Sequence, residues 1–170
     1  PAGYAMARND FFRRMAIPFI TLFRPLPSFA WLALIVVWLG FGDASKIAVV
    51  YVATVPIVAL GTLDAILRVP ADYLDAALAM GARGRALITR VTLPAALPQI
   101  LASARVALTV GWAALIASEL VAAKSGIGVI IIQSARFLRT DQTFAGLVLL
   151  AIIGGLSDRG MAWMQRRVAP

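Results

Sequence analysis

The chain has 170 residues, of which 61% are hydrophobic and only 14% charged, against about a quarter charged in a soluble domain. It has no cysteine and no histidine, which excludes disulfides, thiolate metal sites and the commonest metal ligand and general base. A net charge of +8 would suggest nucleic acid on a soluble protein; on a chain made for lipid it reflects cationic cytoplasmic loops, so membrane lipid and not nucleic acid is the expected surrounding.

The chain begins Pro-Ala-Gly-Tyr, and Arg8, Arg13, Arg14 and Arg24 precede the first apolar run. No signal-peptide pattern is visible, and the reading is of a piece whose N-terminal part, with one or more further spans, is missing. Crossing a bilayer takes about 20 mostly apolar residues. Two runs meet that need, at about 25–42 and 47–64, with Asp43-Ala-Ser-Lys46 as a tight polar turn between them. Pro56 lies inside the second run, where a kink is expected and not a stop.

Residues 64–94 carry Asp64, Arg68, Asp72, Asp75, Arg83, Arg85 and Arg90, a density that belongs in water. The pattern is still helical. Pro70 fits a first helical position and Asp72 complements the helix dipole. Val69, Tyr73, Ala76 and Met80 recur at helical spacing as one apolar face. Gly81 and Gly84 then interrupt, a second short helix runs to about Leu93, and Pro94 and Pro98 mark the return to the membrane. A third span is expected at about 97–120, interrupted by Arg105. Residues 124–141 read as irregular or briefly helical outside the core, and a fourth span as 143–163. Ala113, Ala114, Ala117, Gly154 and Gly155 suit close contact between spans.

Orientation follows from counting. With the 64–94 loop cytoplasmic, eleven cations (Arg8, Arg13, Arg14, Arg24, Arg68, Arg83, Arg85, Arg90, Arg159, Arg166, Arg167) lie on its side and four (Lys46, Lys124, Arg136, Arg139) on the other. That obeys the positive-inside rule.

The loop also carries a motif. Asp75-Ala76-Ala77 is followed by three residues, Gly81, nine residues, Val91, one residue, then Leu93-Pro94. This resembles the EAA loop of ABC-importer permeases, and its setting between two spans is the one the motif requires. The segments Leu22-Phe-Arg24-Pro25-Leu-Pro27, Trp38-Leu-Gly40-Phe-Gly42, Glu119-Leu, Ser125-Gly-Ile-Gly128 and Ala135-Arg136-Phe-Leu-Arg139-Thr140-Asp141 extend the likeness over about residues 20–167. They are similar to the branch that carries nitrate, aliphatic sulfonates, taurine and related small anions, or thiamine-type precursors.

The resemblance implies an all-α, polytopic helix bundle with the fold of a type I importer transmembrane domain, one permease domain over 1–170, with coupling helices at about 70–93. It implies two copies of a partner ABC ATPase, a second permease copy, a periplasmic or lipid-anchored solute-binding protein, and the bacterial cytoplasmic (inner) membrane. Asp72, Asp75, Ala76, Ala77, Gly81, Arg83, Arg85, Leu93 and Pro94 are then the ATPase-coupling residues. The family's glutamate is here Asp75, which keeps the charge and shortens the reach.

Arg105 and Glu119 are the candidate pathway residues. Arg105, about 12 Å into its span, either attracts an anion or is a structural arginine. Glu119 either gates or meets the binding protein, or is an interfacial carboxylate capped by Lys124 or Arg136. Trp31, Trp38, Trp112 and Trp163 fit an aromatic belt. Lys124-Ser125-Gly126 lacks the order of a phosphate loop, so no nucleotide, metal or other cofactor is expected on this chain, and ATP hydrolysis is assigned to a separate subunit. The rival readings are a phosphonate or thiamine-precursor permease, an exporter or passive channel, and a membrane-embedded enzyme, the last lacking clustered acid–base residues within the spans.

Overall fold

The structure is a computed structural model that describes residues 2–23, 26–122 and 125–168. Arg24, Pro25 and Lys124, used above, lie outside them. The described residues form helices joined by short turns: α1 (Ala2–Arg8), α2 (Asp10–Phe23), α3 (Ser28–Leu39), α4 (Asp43–Leu67), α5 (Ala71–Ala79), α6 (Arg85–Leu87), a π-helical segment (Ile88–Thr92), α7 (Leu93–Ala122), α8 (Ile127–Arg136) and α9 (Thr140–Val168). No strand occurs among them. The fold class is all-α.

Several boundaries differ from those expected. The first apolar run holds a helix of 12 residues, about 18 Å long and short of the ~30 Å hydrocarbon core. It stops at Gly40, where φ is +74°. On length and composition three helices among the described residues, 43–67, 85–121 and 140–168, can cross a membrane. The polar turn Asp43–Lys46 is instead the first turn of α4. Asp43 sits at the positive end of that helix, 2.8 Å from Lys46, and the true turn is Gly40-Phe41-Gly42. Ser45 is fully buried and donates its hydroxyl to the Gly40 carbonyl, satisfying an acceptor that the end of α3 leaves open.

Pro56 and Pro98 lie within continuous helices, and Pro94 does not stop one. The chain is helical from Arg85 to Ala122, with wider i→i+5 turns at 88–92 ahead of Pro94. There Leu93 N–H donates to the Ile88 carbonyl and Thr92 Oγ1 to the Leu87 carbonyl. Proline removes one donor from the ladder, and the π turns before it keep the neighbouring groups bonded. α9 outruns its expected bounds at both ends and takes in Arg166 and Arg167; Arg167 lies over the Trp163 ring at 4.5 Å.

The chain forms two compact units. The first comprises 1–22, 56–106 and 161–170, with a core of Met6, Ala59 and Leu63 flanked by Ala16, Ile17 and Ile20. Here Gly3 lies against Ala59 and Thr62, and Gly61 against Ser103, each so closely that a Cβ would collide. The second comprises 23–55 and 107–160, with a core of Leu32, Ile35, Val49 and Ala114. In it Gly111 meets Thr54, and Gly146 meets Ile131. Of the small residues singled out above, Ala114 is fully buried and Ala113 is exposed. Gly154 and Gly155 have no neighbour within 4 Å of an added Cβ among the described residues. A glycine in an apolar run does not announce which side of its helix faces protein.

Only 6–17% of the most apolar window of each long helix is buried within the chain. Leu147, Val148, Ile152 and Leu156 of α9 are exposed. Such surface is far beyond what a water-soluble monomer carries and is the surface of a helix in lipid or against another subunit.

Two outcomes follow. Gly61→Ala lowers the thermal stability of the detergent-solubilised protein by about 1–3 kcal/mol through overpacking, and adding Ser103→Gly restores it. Leu138 has φ +55° and is 86% exposed, so Leu138→Gly raises stability by about 1 kcal/mol in the same measurement.

Candidate functional site

The polar segment after α4 is built from its ends inward. At the end of α4, Arg68 Nε donates to Asp64 Oδ2 at 2.8 Å. That bond and its charge hold the guanidinium above its ordinary value, so it stays a cation at any cellular pH. The pair is exposed and adds little stability.

Pro70, with φ −58° and ψ 137°, is the N-cap of α5, one position earlier than expected, and its carbonyl accepts from Tyr73 N–H at 3.2 Å. Asp72 stands in the first turn, where the dipole favours it. The far end closes by a double bond: Ala82 N–H to the Ala77 carbonyl and Gly81 N–H to the Leu78 carbonyl, both 2.9 Å. This is a Schellman cap, and it needs a left-handed residue at Gly81, whose φ is +85°. Gly84, with φ +55°, turns the chain again into α6. α5 packs against α6 and the π segment.

The face of α5 that turns inward is not its apolar stripe. Ala77 is buried and Leu74 half-buried, whereas Tyr73 (61%), Ala76 and Met80 (82%) are exposed. The apolar stripe read from spacing points away from the chain. Asp72 and Asp75 flank it, both exposed; Arg83, Arg85 and Arg90 are exposed on the following segment. None of these five has an ion-pair partner among the described residues. Leu93 and Pro94 are exposed at the start of α7. The segment is thus a rigid, glycine-closed knob presenting apolar and charged groups outward.

Arg105 is half-buried on α7 and has a partner. Glu119 is tied down. Gly128 N–H donates to its Oε2 at 2.7 Å, so the carboxylate caps the N-terminus of α8, and it occupies the space where Gly126 and Gly128 would carry a Cβ. Gly126 also has φ +148°. Of the expected cappers, Lys124 lies outside the described residues, and Arg136, at the far end of α8, forms no ion pair with Glu119 among them.

Residues 1–170 match the family model described as "Binding-protein-dependent transport system inner membrane component". The chain belongs to that family. It is 39% identical over 170 residues to a taurine transport system permease protein, TauC, of Escherichia coli, covering 100% of this chain and 62% of that relative. It is 31% identical over 151 residues to a protein of Bacillus subtilis named as an aliphatic sulfonates transport permease, SsuC, covering 89% and 55%. The chain thus spans about three fifths of the length of these curated relatives. Among solved structures it is similar to the MetNI methionine ABC transporter in an inward-facing conformation, with TM-score 0.84 and 24% identity over 100% of this chain and 85% of that one. That likeness shows the fold.

Membership makes the chain a component of a multi-pass inner-membrane assembly, in agreement with the three long apolar helices. The exposed knob lies between two of these long helices. Sequence reasoning marked this segment as a polar helical loop and assigned no facing to its apolar stripe. It missed the pairing of Glu119 with Gly126 and Gly128, for which the available signal was a lone carboxylate seven to nine residues before two glycines, at the start of a helix without a polar N-cap.

Glu119→Ala leaves the Gly128 N–H without its acceptor, at a cost of about 1–3 kcal/mol. Gly128→Ala, whose Cβ would lie 3.0 Å from Glu119 Oε2, gives a loss in the same direction. Hydrogen exchange over residues 126–132 checks both, and faster exchange is expected there in each variant.

Proposed function

We propose that the chain is the pathway-forming subunit of an ATP-driven importer in the bacterial cytoplasmic membrane, carrying a small organic or inorganic anion such as a sulfonate, taurine or nitrate. The observation that carries this reading is the α5 knob. Its left-handed joint at Gly81 and its outward Tyr73, Ala76 and Met80 suit insertion into a cleft of a soluble partner, and its two uncommitted aspartates suit cationic groups beside that cleft. Two copies of an ABC ATPase take these knobs. A second copy of the permease completes the pathway, and a periplasmic or lipid-anchored binding protein delivers the solute.

In this reading closure of the ATPases pushes α5. The load passes through the turn at 80–84 into the helix beginning at Arg85, and that helix moves with its neighbours between two packings. Ala77 lets α5 sit close against the moving segment, and Gly81 keeps the joint short. Arg83 and Arg85 hold the following turn to anionic groups of the partner or of lipid. Leu93 and Pro94, just beyond the π turns, form the point where the pushed segment joins the spanning helix, and Arg105 draws the anion into the cytoplasmic half of the pathway. The choice of an anion rests on the resemblance to permeases named for taurine and aliphatic sulfonates.

The test is uptake of labelled taurine in cells that carry the full permease with its ATPase and binding protein. Asp75→Lys reverses a charge on the knob, and Gly81→Pro imposes φ of about −65° where the cap needs a positive value. Both are expected to abolish uptake while the permease still reaches the membrane, as read by blotting of membrane fractions. Undiminished uptake in both would overturn the coupling role.

A further inference from the structure

The second unit holds an open cleft of about 290 Å³ lined by Ile130, Gln133, Ser134, Phe137, Arg139 and Gln142, all exposed except the buried Ser134. Its walls come from α8, the turn after it and the first turn of α9. In size it stands at the lower end of ligand sites, which run from about 300 to 1,000 Å³. Its polar lining is one guanidinium, two carboxamides and a hydroxyl, with no carboxylate. Ile130 and Phe137 supply an apolar wall.

The polar groups are oriented by the fold. Ser134 is 4% exposed and donates its hydroxyl to Gln142 Oε1 at 3.2 Å. That occupies the acceptor end of the carboxamide and leaves its N–H donors uncommitted. Arg139 is placed by a Schellman cap at the end of α8: Arg139 N–H donates to the Ser134 carbonyl at 2.8 Å and Leu138 N–H to the Ala135 carbonyl at 3.1 Å. Leu138 occupies the left-handed position that ordinarily takes glycine, with φ +55°. Its side chain is 86% exposed, so packing within the chain does not offset the strain. Retained strain of this kind gathers where geometry is needed, and here it fixes the backbone of Arg139 against that of Ser134.

The electrostatics favour an anion. Arg139 has no ion pair among the described residues, and Arg136 lies in the last turn of α8. Asp141 stands in the first turn of α9, where it complements that helix's dipole, and is not part of the lining.

We propose that this cleft is a binding site for a small oxyanion-bearing molecule, with Arg139 meeting the sulfonate-like or phosphate-like group, Gln133 and Gln142 donating to it, and Ile130 and Phe137 covering a short hydrocarbon portion. The inference rests on the importer reading above when the anion is the transported solute. The same chemistry would also take the phosphate of a lipid headgroup.

Because the chain has no cysteine, one introduced thiol reports on the cleft. Ile130→Cys, with Phe137→Cys as a second reporter should the first fail to fold or react, is placed in the full permease. The complete transporter is reconstituted with its ATPase in phosphatidylcholine bilayers without ATP. Labelling by 2-sulfonatoethyl methanethiosulfonate is compared with labelling by its trimethylammonioethyl counterpart, each normalised to a free thiol. The anionic reagent is expected to be favoured about tenfold, as attraction by one nearby cation at the protein surface allows. Adding Arg139→Gln erases the preference, and Arg139→Lys keeps part of it. Slower labelling in millimolar taurine assigns the site to the solute. Slower labelling in phosphatidylglycerol bilayers with no effect of taurine assigns it to lipid phosphate. Labelling indifferent to reagent charge, taurine and lipid overturns the proposal. The assay needs no ATP, so its result is independent of whether the α5 knob drives transport.

Discussion

Hydrocarbon offers no water to an open carbonyl or amide, and most of this chain is arranged around that constraint. An unpaired backbone group costs several kcal/mol in lipid, so helices carry the whole structure and their ends become the critical places. Each described junction closes its end in its own way. Ser45 reaches back to the Gly40 carbonyl at the end of α3. Gly81 closes α5, and Leu138 closes α8, by paired backbone bonds. Glu119 reaches from one helix to cap the next. The proposed coupling knob and the proposed oxyanion site sit at two of these ends, where the chain changes direction.

How much of this could be read from the residues depends on which physical signal was asked for. Apolar runs located the three helices long enough to cross, because bilayer thickness sets a length that composition must meet, but the run at 25–42 holds a helix of only 12 residues. Their ends were misplaced because charge does not mark them: Asp43 and Lys46 lie inside α4, and Arg166 and Arg167 inside α9. Pro94 and Pro98 were read as marking the re-entry, whereas the helix runs through both; the i→i+5 turns at 88–92 keep the groups ahead of Pro94 bonded. Gly81 was legible because its left-handed conformation is a local requirement. The facing of α5 was not, since Tyr73 and Met80 form a stripe that fits either direction and Ala77 is one of four equally small alanines in the helix. The Glu119–Gly128 bond crosses a turn, and no periodicity reports it.

The charges divide in a way that bears on function. The ion pairs at Asp10–Arg13, Asp43–Lys46 and Asp64–Arg68 all join residues one turn apart in sequence, on a helix or at its end, and contribute little to stability. Asp72, Asp75, Arg83, Arg85 and Arg90 have no such partner among the described residues. The electrostatic character of the α5–α6 region is therefore directed outward, and is sensitive to salt to the degree that this surface stays wet.

The hydroxyls between the helices have a mechanical meaning. Thr54, Thr62, Ser103, Ser118 and Ser157 each donate to a carbonyl of their own helix, three or four residues back. Where Ser103 meets Gly61 and Thr54 meets Gly111, the contact is one of shape, with the hydroxyl hydrogen already spent. A helix shifting past its neighbour at such a crossing breaks no hydrogen bond and trades one set of dispersion contacts for another. These crossings act as dry bearings: they resist separation, through close fit, far more than they resist sliding.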